Sequence, residues 1–182
     1  DNLASKIAEE DEEDEEDIRR TPFVGLLPEN VAITAEIGST PITITKIGKD
    51  YFEDMLNVFY KRLNNGSYET YYYDLYEQSW DKDTAIFDDE QEILDSLSIS
   101  FIFEKWNGGS CFSEATLVPG ANETFAGRNC SKYVYNFGST SFIYFIDKDG
   151  FTLKYELKDV ASFTVTAWDE TVTSFPLGVP EN

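Results

Sequence analysis

Phe151-Thr152-Leu153-Lys154-Tyr155-Glu156-Leu157-Lys158 is the stretch that decides the fold, because apolar and polar side chains alternate along its whole length. Such a period of two places the apolar side chains on one face of a β-strand and the polar side chains on the other. The neighbouring segments Lys132–Phe137, Phe142–Ile146 and Ser162–Trp168 are rich in strand-forming residues, and glycine-containing turns precede two of these strands. This part of the chain therefore predicts four consecutive antiparallel strands.

The N-terminal half of the chain shows the same alternation. Val31, Ile33, Ala35 and Ile37 recur at every second position, and Ile42, Ile44 and Ile47 follow a Gly-Ser-Thr-Pro turn. The segment 51–63 fits a helix face or a strand face. Its flanking turns, of which Asn64-Asn65-Gly66 contains a strong hairpin signal, favour a strand that pairs with Tyr68–Leu75.

One short helix is expected within this strand-rich sequence. Asp88-Asp89-Glu90-Gln91 precedes an apolar helical pattern, and its aspartates suit the orphan N–H groups of a helix start. Strands are then expected to resume at Ile99–Phe103, and the segment from Gly120 to Gly127 is interpreted as a loop. The predicted fold class is mainly β (α+β), with a curved antiparallel sheet or incomplete β-barrel of about eight to ten strands and one or two short helices.

The chain is strongly acidic, and its charge is unevenly distributed. The 182 residues carry 35 acidic and 14 basic side chains, a net charge of −21, and ten of the carboxylates lie within residues 1–17. A run of like charges repels itself and buries nothing, so we interpret residues 1–22 as an acidic spacer, a solvated tail or a frayed helix. Residues 23–182 are then a single β-rich domain. Nucleic acid is excluded as a partner because phosphate binding requires Lys and Arg.

The residue types also argue against catalysis. The chain has no histidine, which excludes Ser-His-Asp and Cys-His catalysis and imidazole metal ligands. Asp147-Lys148-Asp149-Gly150 lacks the further ligands of an EF-hand loop and is interpreted as a hairpin turn. Carboxylates such as Glu123 and Glu156 are plentiful, but no pair of them is singled out as catalytic. We therefore predict that the protein is not an enzyme and has no metal site or cofactor.

Two segments are apolar on both faces, which points to a ligand. Phe142–Ile146 and Phe101–Phe103 both require cover on two sides, and the sequence offers little helix to supply it. Either the sheet curls on itself or part of a concave apolar face is available to a hydrophobic ligand. The candidate residues for lining that face, chosen from the alternation pattern, are Ile33, Ile44, Phe101, Phe103, Phe142, Tyr144 and Tyr155.

Two further sets of residues leave alternatives open. Cys111 and Cys130 are either one disulfide or two buried thiols. The tyrosines around positions 68–76 either form an exposed strip that binds protein or glycan, or occupy alternate faces of a hairpin. If the tyrosines form the exposed strip, the alternative function is that of a structural or adhesive surface module.

A Gly-turn-strand pattern with flanking aromatic positions recurs in several segments of the chain. These segments are Tyr68–Asp74, Trp80, Ala121–Tyr133, Ile146–Glu156 and Phe163–Leu177. Together they resemble, over approximately residues 29–178, the lipoprotein-carrier-like domains, which include the outer-membrane lipoprotein-sorting proteins and related surface lipoproteins of bacteria.

This resemblance implies an incomplete β-barrel whose concave face accommodates an acyl chain or another hydrophobic group. It also implies an extracytoplasmic protein, at the cell surface or in the periplasm, anchored to the membrane only through a lipid-modified cysteine upstream of Asp1. We accordingly expect a non-enzymatic, monomeric lipoprotein domain that binds a lipid or another hydrophobic ligand on the concave face of its sheet. The chain departs from the family in its sparse helical content and in lacking a lipid-contact motif. The resemblance therefore predicts the fold better than it predicts the activity.

Overall fold

Eleven β-strands make up most of the computed structural model, which describes residues 27–103 and 114–181. The prediction for residues 1–22 lies outside these ranges. Within them the helical elements are α1 (Glu90–Ser96) and one 3₁₀ helix (Ser100–Ile102). The strands are β1 Asn30–Ile37, β2 Thr40–Ile47, β3 Asp50–Glu53, β4 Val58–Arg62, β5 Tyr68–Asp74, β6 Ser79–Phe87, β7 Thr116–Phe125, β8 Arg128–Phe137, β9 Thr140–Asp147, β10 Thr152–Leu157 and β11 Ala161–Asp169.

All eleven strands belong to one antiparallel sheet. Their spatial order is β6-β5-β4-β3-β2-β1-β11-β10-β9-β8-β7, so two meanders meet where β1 pairs with β11. The sheet is open, with β6 and β7 as its edges. The predicted fold class, a mainly β protein with an unclosed antiparallel sheet and little helix, is confirmed.

The core lies on the sheet face that carries the apolar residues of β1, which we call the inner face. Val31, Ile33 and Ala35 of β1 are completely buried there, and Ile33 lies directly opposite Ile44 of β2. Residues opposite each other on paired strands share a face, so the register extends this face to Tyr51 and Tyr60. The reverse side of the sheet is the outer face.

Helix α1 covers part of the inner face. Asp89 is its N-cap residue, and the Asp89 carboxylate accepts a hydrogen bond of 3.0 Å from the Glu92 backbone N–H. Ile93 and Leu94 of the helix are fully buried in the same apolar cluster as Ile33. The sheet thus obtains the cover that its apolar face requires from seven residues of helix and the segment that follows it.

Buried polar contacts fix the position of α1 over the sheet. The Tyr51 hydroxyl donates a 2.5 Å hydrogen bond to Glu90 Oε1, and Lys49 Nζ lies 3.2 Å from Glu90 Oε2. Burial, followed by the hydrogen bond to Glu90, raises the pKa of Tyr51 far above its ordinary value. The buried carboxylate of Glu53 accepts a hydrogen bond of 3.0 Å from the Ser98 backbone N–H, just after the helix.

Replacing Glu53 with glutamine is expected to stabilise the protein by about 1 kcal/mol at pH 7 and to have little effect below pH ~4. Burial raises the pKa of Glu53 above its ordinary value of 4.5, so the folded state holds its proton more tightly than the unfolded state. The contribution of Glu53 to the free energy of unfolding is therefore present at low pH. It is lost as the pH rises from 4.5 through the pKa of Glu53 in the folded state. Urea denaturation across that pH range measures the effect.

The exposed Glu36 provides the matched control for this prediction. Glu36→Gln is expected to follow the wild-type pH profile within about 0.5 kcal/mol. A Glu53→Gln variant that is destabilised at pH 7 but not at pH 4 would show that the Ser98 contact needs the charged carboxylate, contrary to this account.

Three local predictions differ from the structure or gain detail from it. The segment 51–63 is strand-like, as predicted, but contains two strands, β3 and β4, joined by a turn at positions 54–57. Ile99–Phe103 was predicted as a strand and instead contains the 3₁₀ helix, because a short apolar run suits a buried helical turn equally well. Gly120 does not lie in a loop. It has a φ of +73° inside β7, at the register shift of the β7–β8 pair.

Both edges of the open sheet carry features that oppose pairing with another chain. The edge strand β6 has a register shift against β5 and exposes the charged residues Asp81 and Lys82. The edge strand β7 contains Pro119 and the register shift at Gly120. Charges, proline and irregular register are the means by which natural sheets avoid edge-to-edge association.

Candidate functional site

The structure places the predicted ligand-lining residues on one side of the sheet but in two different environments. Ile33 and Ile44 face each other, as do Tyr144 and Tyr155. Tyr155 also lies opposite Phe163, and Phe163 lies opposite Ile37 of β1, which shares the face of Ile33 by alternation. All five predicted residues that lie on strands, Phe142 included, therefore belong to the inner face.

Three of the predicted residues lie in the closed core. Ile33, Ile44 and Phe103 are only 0%, 1% and 4% exposed and belong to the cluster that includes α1. Phe103 packs edge-on against Phe151, with ring centroids 6.3 Å apart. A side chain packed in this way stabilises the fold, and a ligand reaches it only if the helix is displaced.

Two of the other predicted residues, Tyr144 and Tyr155, belong to a line of aromatic rings across β8, β9, β10 and β11, which we call the aromatic row. Cross-strand pairing joins Tyr133 to Tyr144, Tyr144 to Tyr155 and Tyr155 to Phe163, and these four residues define the row. The Tyr144 and Tyr155 centroids are 5.2 Å apart, and Tyr155 stacks on Phe163 at 5.7 Å with an interplanar angle of 19°. Phe101 of the 3₁₀ helix extends the row by stacking on Phe163 at 4.9 Å.

The aromatic row is less covered than the core. Tyr144 is 9% exposed, whereas Tyr133, Tyr155 and Phe163 are half-buried. Phe142 and Tyr135 form a neighbouring half-buried pair, with ring centroids 6.0 Å apart. Half-buried rings in a continuous line keep part of their apolar surface exposed to solvent, which the core residues do not.

The charged side chains of these strands alternate with the members of the aromatic row. The next cross-strand line contains Lys132, Phe145, Lys154 and Thr164, and one-residue alternation turns these side chains away from the row. Phe145 of this line is buried in the core cluster. Lys132 Nζ and Lys154 Nζ lie 6.0 Å and 5.8 Å from the centroid of the Phe145 ring. The row itself is built from phenol and phenyl rings, so its chemistry suits an uncharged hydrophobic ligand.

Sequence reasoning missed Tyr133, Tyr135 and Phe163 as members of this site. The signal that could have found them is the position of the hairpin turns. Phe137 pairs with Thr140 across Gly138-Ser139, and counting back from this turn brings Tyr133 opposite Tyr144. Counting back from the Leu157–Ala161 pair brings Phe163 opposite Tyr155 in the same way.

A second concave region lies on the outer face at the β5–β6 edge. It is a cavity of about 890 Å³, and the C-terminal segment after β11 closes one side of it. It is lined by Glu69, Tyr71, Tyr73, Gln78, Ser79, Trp80, Lys82, Leu177, Val179, Pro180 and Glu181. We call this region the edge groove. Tyr71 and Tyr73 line it, whereas Tyr68 is buried on the inner face, so the tyrosines of this hairpin occupy alternate faces.

The Asp147–Gly150 turn is held by its own side chains. Asp147 Oδ1 accepts hydrogen bonds of 2.9 Å from the backbone N–H groups of Asp149 and Phe151, while Arg128 Nε donates to Asp147 Oδ2 at 2.6 Å. The Arg128 guanidinium also lies over the Trp168 ring, 4.3 Å from its centroid. These contacts are those of a braced hairpin turn. Within the described ranges no group of three or more His, Cys, Asp or Glu residues could hold a metal ion.

Cys130 is a buried thiol that bonds to no other cysteine of the described residues. Burial, with the nearby carboxylate of Asp147 as the next cause, raises the pKa of the Cys130 thiol to about 12. Cys111 lies outside the described residues, so the Cys111–Cys130 disulfide stays a prediction. No helix within residues 27–103 and 114–181 is long and apolar enough to cross a membrane.

No protein-family model matches the chain, and the search of curated proteins finds no match. Among solved structures the chain is similar to PNGF-II, with 10% identity and a TM-score of 0.41 over 85% of this chain and 31% of that chain. It is also similar to MucB, with 12% identity and a TM-score of 0.38 over 81% of this chain and 55% of that chain. A structure of the Pseudomonas aeruginosa MucA/MucB complex gives 12% identity and a TM-score of 0.36 over 82% and 55%. The chain thus spans about a third to about half of the solved chains it matches, and the similarity concerns the course of the backbone alone.

Proposed function

We propose that this domain is a non-enzymatic binding protein whose aromatic row holds an elongated hydrophobic ligand, such as the acyl chain of a lipid. The observation that carries the proposal is the half-buried line of Tyr133, Tyr155 and Phe163 on the same face as a fully packed core. Apolar rings that the protein leaves partly uncovered next to a closed core are the usual lining of a small-molecule site.

The dimensions of the row favour a chain-like ligand. Neighbouring strands lie about 4.8 Å apart, so a row that crosses from β8 to β11 extends over about 14 Å. Phe101 stacks on the end of the row at Phe163 and lengthens it toward the 3₁₀ helix. A compact ligand would contact only two of these rings at once, whereas an extended methylene chain can contact them all.

The electrostatics of the sheet support an uncharged binding surface. Lys132 and Lys154 alternate with the members of the row and point away from it, and the row offers only tyrosine hydroxyls as polar groups. A carboxylate or phosphate headgroup would therefore remain at the rim in water, since burying an unpaired charge is costly. The absence of histidine from the whole sequence supports a binding role over hydrolytic chemistry.

The finer proposal is that this is an extracytoplasmic lipoprotein domain of the lipoprotein-carrier type. It is supported by the resemblance of the Tyr68–Asp74 and Ile146–Glu156 segments and by an open antiparallel sheet with one helix over one face. The irregular sheet edges support the expected monomer. Metabolic labelling of the full-length precursor with a radioactive fatty acid tests the lipid anchor, and absence of label would contradict it.

Native mass spectrometry of the purified chain with palmitate is expected to show a 1:1 adduct. The physical reason is the apolar area that the four rings can bury, at about 25 cal/mol per Å². Glutarate, which has the carboxylate but no long chain, serves as the matched control and is expected to give no adduct. A spectrum without a palmitate adduct at ligand concentrations up to 100 μM, or with equal glutarate and palmitate adducts, would contradict the proposal.

A further inference from the structure

The edge groove lies on the opposite side of the sheet from the aromatic row and is built from different elements. Glu69, Tyr71 and Tyr73 alternate on the outer face of β5, and the register places Lys82 opposite Tyr71 and Trp80 opposite Tyr73. The C-terminal segment supplies the remaining wall through Leu177, Val179 and Glu181. The groove is thus independent of the inner face and has no part in the function proposed above.

Aromatic packing holds the Trp80 ring in a fixed orientation. Its centroid lies 5.1 Å from that of Tyr73, 5.7 Å from that of Phe59 and 6.2 Å from that of Phe52, all in edge-type contacts. Phe175 packs on Phe59 at 5.0 Å and attaches the C-terminal segment to the same cluster. An indole braced by three rings and still lining a cavity is a preorganised stacking surface, which reduces the entropy lost when a ligand binds.

Polar groups surround this aromatic surface, and their charges nearly cancel. The Tyr71 hydroxyl donates a 2.7 Å hydrogen bond to Glu69 Oε2, and Lys82 forms an ion pair with the other oxygen of Glu69. Gln78 and Ser79 contribute exposed donors and acceptors, and Glu181 adds one carboxylate. An anionic ligand finds no unpaired lysine or arginine among the lining residues, and a cationic ligand finds only Glu181 in addition to the paired Glu69.

We propose that the edge groove is a binding site for a neutral oligosaccharide. The C–H faces of sugar rings stack on the Trp80 and Tyr73 rings, while their hydroxyls exchange hydrogen bonds with Gln78, Ser79 and the Glu69 carboxylate. The volume of about 890 Å³ is within the range of pockets that take ligands of several rings. A peptide would need an unpaired strand edge as well, and the register shift and charges of β6 oppose that pairing.

Isothermal titration calorimetry of the full chain with chitotetraose, maltotetraose and mannotetraose tests this proposal. At least one of these neutral tetrasaccharides is expected to bind, and Trp80→Ala is expected to weaken it by tenfold or more. Ser79→Trp, which fills the groove from an exposed position without removing a packed ring, is expected to abolish binding. Tyr76→Ala is the matched control, because Tyr76 lies in the same hairpin, is 98% exposed and does not line the groove.

Two results would overturn the proposal. One is that none of the three tetrasaccharides binds the wild-type chain at millimolar concentration. The other is that Ser79→Trp, with a wild-type circular dichroism spectrum, binds as tightly as the wild-type chain. Because the groove and the aromatic row lie on opposite faces, the palmitate adduct of Ser79→Trp is expected to match that of the wild type, which separates the two proposals.

Discussion

Ile33→Ala is expected to lower the free energy of unfolding by about 3 kcal/mol, the loss typical of a fully buried isoleucine whose cavity cannot collapse. Ile33 has no exposed surface, lies opposite Ile44 and packs in the same cluster as Leu94 of α1. The alternation pattern predicts Ile33 as a lining residue of the ligand site, and the structure buries Ile33 in the core. Urea denaturation followed by circular dichroism measures the change.

Ile86→Ala is the matched control for this substitution, because it removes the same atoms from a side chain that is 64% exposed. We expect it to change stability by less than about 0.5 kcal/mol. If Ile33→Ala were as mild as Ile86→Ala, the helix would not close over this part of the sheet. The inner face would then be an open surface along its whole width.

Tyr155→Ala is expected to weaken the binding of a fluorescent C16 fatty acid by tenfold or more, equivalent to at least ~1.4 kcal/mol. Tyr155 occupies the middle of the aromatic row, between Tyr144 and Phe163, so its removal divides the line of rings. Displacement titration with palmitate gives the affinities.

Two further variants make this titration decisive. Tyr155→Phe keeps the ring and is expected to bind within threefold of wild type, because the row acts through its apolar surface. Ile33→Ala, assayed where it remains folded, is expected to bind like wild type, because Ile33 is covered by α1. Equal loss in Ile33→Ala and Tyr155→Ala would show that binding reports only stability, and the aromatic row would lose its special role.

Most of the strand framework could be predicted because the local chemistry is consistent along the chain. The alternation in Phe151–Lys158 and in Val31–Ile37 appears as β10 and β1, and the Asp-rich start at Asp88-Asp89 appears as the N-terminus of α1. Strand pairing between neighbours then follows from short turns. The strand prediction for Ile99–Phe103 was wrong because an apolar run of this length has no distinct periodicity. Such a run takes the conformation that its packing partners allow.

The candidate site was only partly predictable for a different reason. Alternation assigned Ile33 and Tyr155 correctly to one face, but which part of that face a helix covers depends on contacts distant in sequence. The Glu90–Tyr51 and Ser98–Glu53 hydrogen bonds, over separations of 39 and 45 residues, are such contacts. The edge groove likewise depends on contacts between residues that are distant in sequence, since Phe175 and Leu177 of the C-terminal segment reach β4 and β6.

The central claim is that an acyl chain lies along the aromatic row of the inner face. Intermolecular nuclear Overhauser effects between ¹³C-labelled palmitate and the aromatic protons of the protein test it most directly. We predict contacts from the methylene chain to the rings of Tyr133, Tyr155 and Phe163, and none to Trp80 in the edge groove. Contacts confined to Trp80 and Tyr73, or the absence of contacts to the row at saturating palmitate, would contradict the account.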